Sequence, residues 1–156
     1  MTLKRLKSVG GFTLVEVMVT VVILLVAVIG TSGYRYYAAL DAKKADRQVT
    51  AARTALLLCE SWRAASDPNA FDPLTQFQSE LIISPSSYYA PDVADGFTEL
   101  GNYEIIINGI SYNTTLSWMD VSSGLRALNV TVGWDQGVSE YQYPNKSFKL
   151  TTYIDN

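Results

Sequence analysis

The sequence predicts an α+β fold, one long N-terminal helix followed by a C-terminal antiparallel sheet, and three observations predict it. A nearly unbroken apolar run begins at Phe12. No proline occurs before Pro68, so a helix starting in that run can continue well past it. The last third of the chain alternates apolar and polar residues with a period of two, broken by turn residues.

The apolar run comes first. From Val17 to Tyr34 there are 18 residues without a formal charge, mostly Val, Ile and Leu. A helix needs about 20 apolar residues to cross a bilayer, and Phe12–Val15 supply the remainder. An ordinary secretory signal peptide fits poorly. Its apolar region is shorter, about 7–15 residues, and ends in small residues of the A-x-A kind. Here the run is longer, Ala27-Val28-Ile29 does not match that site, and Glu16 lies inside the apolar stretch. An uncleaved signal anchor accounts for the hydrophobicity but not for Glu16. A charge at mid-bilayer costs roughly 3 kcal/mol, so an acid there is a functional candidate unless it snorkels to the headgroups.

The rest of the helix follows from spacing. Ala38, Ala42, Ala45, Val49, Ala52, Leu56 and Cys59 recur at alternating intervals of four and three, an apolar stripe. Lys43, Lys44, Asp46, Arg47 and Arg53 fall off it and are expected to face water. The stripe is alanine-rich, a weak seam for a two-stranded coiled coil, so packing on the chain's own sheet is the expectation. The helix is expected to end near Ala65, where Ser66-Asp67-Pro68 breaks the pattern. Gly30 and Gly33 interrupt its apolar part, which suits either a loosened helix or close packing of a neighbour.

Residues 67–100 contain four of the five prolines and read mainly as loop, with Glu80–Ile83 a short strand or helical turn. Asp92, Asp95 and Glu99 around Gly96 read as a solvated turn, since their spacing is not that of an EF-hand calcium loop. Tyr103–Ile107, Asn108-Gly109 and Ile110–Trp118 form a hairpin signal. Leu128, Val130, Val132 and Trp134 mark a third strand, and Phe148, Leu150, Thr152 and Ile154 a fourth. One face of this sheet suits burial against the helix.

Composition removes several functions. The chain has no histidine and one cysteine, Cys59. Ser-His-Asp and Cys-His catalysis, a His-based zinc site and an intramolecular disulfide are thereby excluded. Cys59 reads as a small buried hydrophobe. No catalytic residue, metal ligand or cofactor is expected. Asp120, Asp135 and Glu140 read as solvated acids, and the three Asn-x-Ser/Thr triplets as an exposed Thr-rich strand face. Without the first eleven residues, which hold Lys4, Arg5 and Lys7 and no acid, the chain carries nine basic and fifteen acidic residues, or −6. A nucleic-acid footprint is absent.

Gly11-Phe12-Thr13-Leu14-Val15-Glu16, behind the basic leader Lys4, Arg5, Lys7 and ahead of the apolar run, resembles the type IV prepilin signature. The resemblance covers about the first 35 residues. It implies cleavage by a prepilin peptidase between Gly11 and Phe12, and N-methylation of Phe12. Glu16 then becomes the fifth residue of the mature chain, where the family places its glutamate. It lies about 6 Å along a helix from the cationic amine of Phe12. Pairing with the amine of a neighbouring subunit would then reward one axial register. The resemblance divides the chain into a leader, 1–11, a transmembrane and polymerisation half-helix, 12–35, and a periplasmic pilin-like domain, 36–156. It implies an inner-membrane protein with membrane lipid, other pilins or pseudopilins and an assembly platform as partners. Lys and Arg counts alone do not orient the span, because Arg35, Lys43, Lys44 and Arg47 follow it closely. Tyr34, Tyr36 and Tyr37 suit the far interface. The strand pair containing V-T-V-G-W and F-K-L-T-T loosely resembles minor pilins and minor pseudopilins of the V and I kinds. The rival class is a membrane-anchored periplasmic binding module that never polymerises.

Overall fold

In a computed structural model the described residues are 11–86, 91, 93–135 and 144–155. They divide into two compact units, one ending at Ala42 and one beginning at Lys43. The expected α+β architecture is what they form. Helix α1 spans Leu14–Arg63 without a break at Gly30 or Gly33. Its end lies two residues short of the expected Ala65.

The connector is more ordered than its prolines suggest. A 3-10 turn at Pro68–Ala70 and helix α2 at Pro73–Phe77 each begin with an Asp-Pro pair. Asp67 Oδ1 accepts from the N–H of Asn69 at 2.9 Å, and Asp72 Oδ1 from that of Leu74 at 3.1 Å. Asp therefore caps, and Pro occupies the first helical position, where its missing N–H costs nothing.

Five strands follow: β1 Ile82–Pro85, β2 Thr98–Ile107, β3 Ile110–Ser122, β4 Leu125–Trp134 and β5 Lys146–Asp155. They pair antiparallel in sequence order. The expected meander of four strands gains β1, which pairs Ile83 with Ile105. The β2–β3 turn has Asn108 at φ 52° and Gly109 at φ 74°, the left-handed pair that an Asn-Gly hairpin requires.

The core corrects the expected helix stripe. Ala51, Thr54, Ala55, Leu58, Cys59 and Trp62 are the buried residues of α1, whereas Ala38, Ala42, Ala45, Val49 and Leu56 are exposed. Only Cys59 of the expected stripe is fully buried, and Ala52 half so. The buried face is turned by about one residue, and Trp62 decides it. This fully buried side chain stacks on Phe71, with centroids 5.9 Å apart, and donates from Nε1 to the Pro68 carbonyl at 2.8 Å. Thr54 is tolerated there because its hydroxyl donates to the Thr50 carbonyl at 2.9 Å. Arg47, expected in water, is half-buried and donates to the Asp135 carbonyl at 2.9 Å.

Opposite the helix, Ile105, Tyr112, Leu116, Leu128, Val130, Val132 and Trp134 complete the core. The other face of the sheet is also covered at its centre. Thr115, Ser117, Asn129 and Thr131 are buried there, and a Cβ added at Gly133 would meet Pro144 at 3.0 Å and Pro91 at 3.2 Å. The buried hydroxyls and amide bond one another, as in Asn129 Nδ2 to Thr151 Oγ1 at 2.8 Å and Thr115 Oγ1 to Asn102 Oδ1 at 2.8 Å. Such mutual pairing is what burial of polar groups demands.

Candidate functional site

The residues singled out by the sequence gather at the start of α1. Gly11 and Phe12 precede the helix in extended chain, and both are exposed, Phe12 at 80%. A backbone outside regular structure and open to its surroundings is what a peptidase needs to engage. Lys4, Arg5 and Lys7 lie outside the described residues.

Glu16 is in the first turn of α1. Its backbone N–H donates to Thr13 Oγ1 at 3.3 Å and to the Thr13 carbonyl at 3.1 Å. Thr13 is thus the N-cap and Glu16 the third helical residue, the T-x-x-E arrangement of a capping box. Sequence analysis treated Glu16 as part of the cleavage motif and missed the cap, although Thr13-Leu14-Val15-Glu16 spells it. The two readings are compatible. An acid in the first turn interacts favourably with the positive end of the helix dipole whatever else it does. Because α1 begins at Leu14 rather than Phe12, the 6 Å offset of Phe12 along a helix does not describe this free chain.

Beyond Glu16 the helix shows its apolar side chains on every face. Val17, Met18, Val21, Leu24, Leu25, Val28 and Ile29 are all exposed. The candidate span is not buried inside the chain at all, which separates it from a soluble core helix. A continuous exposed apolar surface of this kind needs lipid or other helices around it. The polar groups inside the run are satisfied locally. Thr20 Oγ1 donates to the Glu16 carbonyl at 2.7 Å, Thr31 Oγ1 to that of Ala27 at 2.8 Å, and Ser32 Oγ to that of Val28 at 2.8 Å. Back-bonding to the preceding turn is how hydroxyls are accommodated in hydrocarbon. A Cβ added at Gly30 or Gly33 would meet open space, so no contact within the chain requires these glycines.

The remaining chemistry-bearing residues are engaged structurally. Burial pushes the Cys59 thiol up, so it is a poor nucleophile. Arg126 is held by Asp120 through Nε–Oδ1 at 2.7 Å and Nη2–Oδ2 at 3.2 Å, donates from Nη1 to Asn69 Oδ1 at 2.6 Å, and lies 4.1 Å over the Trp118 ring. Asp120, expected as a solvated acid, is half of this pair. Glu99 accepts from Asn102, Glu140 and Asp92 lie outside the described residues, and Asn129 is buried. Among the described residues no three His, Cys, Asp or Glu side chains come together as a metal site would need.

Residues 6–32 match the family model of the prokaryotic N-terminal methylation motif. That stretch holds Gly11, Phe12 and Glu16 together with most of the apolar run. No curated protein and no solved structure matches the chain. The motif and the exposed apolar helix together support a membrane-anchored, type IV pilin-like protein. A motif of this kind implies processing by a prepilin peptidase and assembly with other pilins.

Proposed function

We propose that the chain is a structural subunit, a minor pilin or minor pseudopilin, that enters a type IV pilus or related type II secretion pseudopilus through its N-terminal helix. The observation that carries this reading is the methylation motif over residues 6–32, set at the start of a helix with fully exposed apolar faces. In this reading the leader 1–11 stays in the cytoplasm through Lys4, Arg5 and Lys7. The peptidase cuts between Gly11 and Phe12 and methylates Phe12. Residues 12–35 hold the subunit in the inner membrane and later in the fibre, and 36–156 are periplasmic.

Glu16 then has one polar task. In an apolar bundle of helices its carboxylate is expensive alone and tolerable beside a cation. The new N-terminal amine of an adjacent subunit supplies that cation, so subunits in the right axial step are favoured over the others. Absence of disulfide capacity, with Cys59 alone, favours a minor subunit over a major one. Intact mass and N-terminal fragmentation of the protein from native membranes test the processing step. A chain beginning at N-methyl-Phe12 is expected; a chain still beginning at Met1, in cells with an active prepilin peptidase, overturns the reading. Glu16→Ala is expected to be cleaved yet to enter fibres poorly, and normal incorporation would remove the carboxylate's proposed role.

A further inference from the structure

Edge strands present N–H and C=O groups that can template another strand. Here the sheet has five strands, each antiparallel to the next, so its two edges β1 and β5 run in the same direction. Both edges carry incompletely covered apolar side chains. On the helix side, Ile83 of β1 and Phe148, Leu150 and Ile154 of β5 pack on the core yet are only half-buried. On the opposite side, Ile82 is 69% exposed and Tyr153 57%.

We propose that β5 of one copy pairs with β1 of the next, parallel and head to tail, so that sheets join laterally between subunits. The strand directions allow it, because parallel edges let a copy be repeated by translation without being reversed. Every α1 then points the same way. The alternative, two β5 edges meeting antiparallel, needs a two-fold axis normal to the sheet. That axis would reverse one helix relative to the other, which anchoring in one membrane forbids. In this respect the inference rests on the anchored, fibre-forming reading above. A head-to-tail contact is also the kind that propagates into a filament rather than closing as a pair.

Face matching and charge select the register. Even-numbered residues of β5 face the helix side, as Leu150 opposite Val130 shows, and so do odd-numbered residues of β1, as Ile83 opposite Ile105 shows. Setting the next copy's Glu80 level with Lys149 keeps the faces matched and joins two exposed opposite charges. The same register sets Leu81 beside Leu150, Ile83 beside Thr152 and Pro85 beside Ile154 on the helix side. On the other side Ile82 lies beside Thr151 and diagonal to Tyr153. The half-covered apolar residues of the two edges thereby cover each other. Pro85, which cannot donate to a ladder, ends the paired segment.

The full-length chain in membranes tests this. Neighbouring strands lie about 4.8 Å apart, within reach of a disulfide. In a Cys59→Ala background, Thr152→Cys combined with Ile83→Cys should give a ladder of dimers, trimers and longer species under mild oxidation, and each single cysteine only monomer. No ladder from the pair, dimers from Thr152→Cys alone, or a bond to a protein of another mass overturns the proposal. Lys149→Glu or Glu80→Lys should shorten the ladder several-fold, and the two together restore it; failure of the exchange to restore it overturns the register. N-terminal mass analysis of the same samples separates the two readings. N-methyl-Phe12 chains without a ladder refute edge pairing alone, whereas a ladder of chains beginning at Met1 refutes the fibre pathway alone.

Discussion

The two halves of α1 carry similar apolar content and use it in opposite ways. From Leu14 to Ile29 the large side chains are exposed, and none is covered by the rest of the chain. From Ala51 to Trp62 the apolar face is fully buried against the sheet and the connector. The second half therefore completes a core that the chain supplies itself. The first half has its partners outside the chain, as lipid or as the helices of other subunits. The difference teaches where stability and function are separable. Changes near Trp62 act on folding, while changes near Leu24 act on insertion and assembly.

Trp62→Ala against Leu24→Ala is the most direct way to break that comparison. Removing a buried aromatic side chain costs about 3–5 kcal/mol, and here it also takes away the stacking on Phe71 and the bond to Pro68. Urea unfolding of the detergent-solubilised full chain, followed by circular dichroism of the sheet, should show that loss. Leu24→Ala should leave the same transition within about 0.5 kcal/mol, the usual range for changes away from a packed site. Equal effects of the two would mean that the apolar half packs on its own domain after all.

A smaller effect is expected at the far end of the sheet. Arg126 has only 7% of its side chain exposed, whereas its partner Asp120 keeps 49%. Asp120→Ala leaves a nearly buried guanidinium with Asn69 and the Trp118 ring as its remaining contacts, and is expected to cost about 2 kcal/mol, typical of hydrogen bonds to charged groups. The same unfolding assay reads it. A loss well below that would mean the guanidinium finds water in place of the carboxylate, and that this end of the core is open.

How much of this was legible in the sequence depends on what each signal reports. The helix length, the Asn108-Gly109 turn and the alternation along β3, β4 and β5 are local properties, and local rules read them. The face that α1 buries was read one residue out of phase. The true face includes Thr54 and the half-buried Arg47, and a count of apolar residues rejects both. Their acceptability depends on the Thr50 and Asp135 carbonyls, which only the fold brings into reach. The turn at Ser122-Ser123-Gly124, with Gly124 at φ 91°, and the capping Asp-Pro pairs were written in the sequence and passed over. Burial of Thr115 and Thr131 on the second face of the sheet was not legible. It comes from Pro91 and Pro144 folding back over the strands, a tertiary event without a periodic signature. At the site, Gly11, Phe12 and Glu16 stood out through a motif, and the capping role of Thr13 was hidden by it.

The smallest expected effect sharpens the comparison through pH. Tyr103 lies in the core of the sheet domain. Its burial, with the charge of Asp72 and the hydrogen bond to that carboxylate, pushes its phenol up to about 12 from 10. The neutral phenol, which donates to Asp72, is thus the form the fold prefers. Because the folded value lies above the unfolded one, the stabilisation is complete below pH 10 and is lost as pH rises through 12. Tyr103→Phe should cost about 1 kcal/mol at neutral pH, the usual net worth of one hydrogen bond. It should also flatten the fall in stability between pH 10 and 12. The fall should not vanish, since burial also raises the phenol of Tyr112. Tyr34, Tyr36 and Tyr37 supply the contrast, being exposed on the first half of α1. Their replacement by Phe should leave the alkaline transition of the sheet unchanged. An alkaline transition unmoved by Tyr103→Phe would mean that the Asp72 bond does not hold the connector to the sheet.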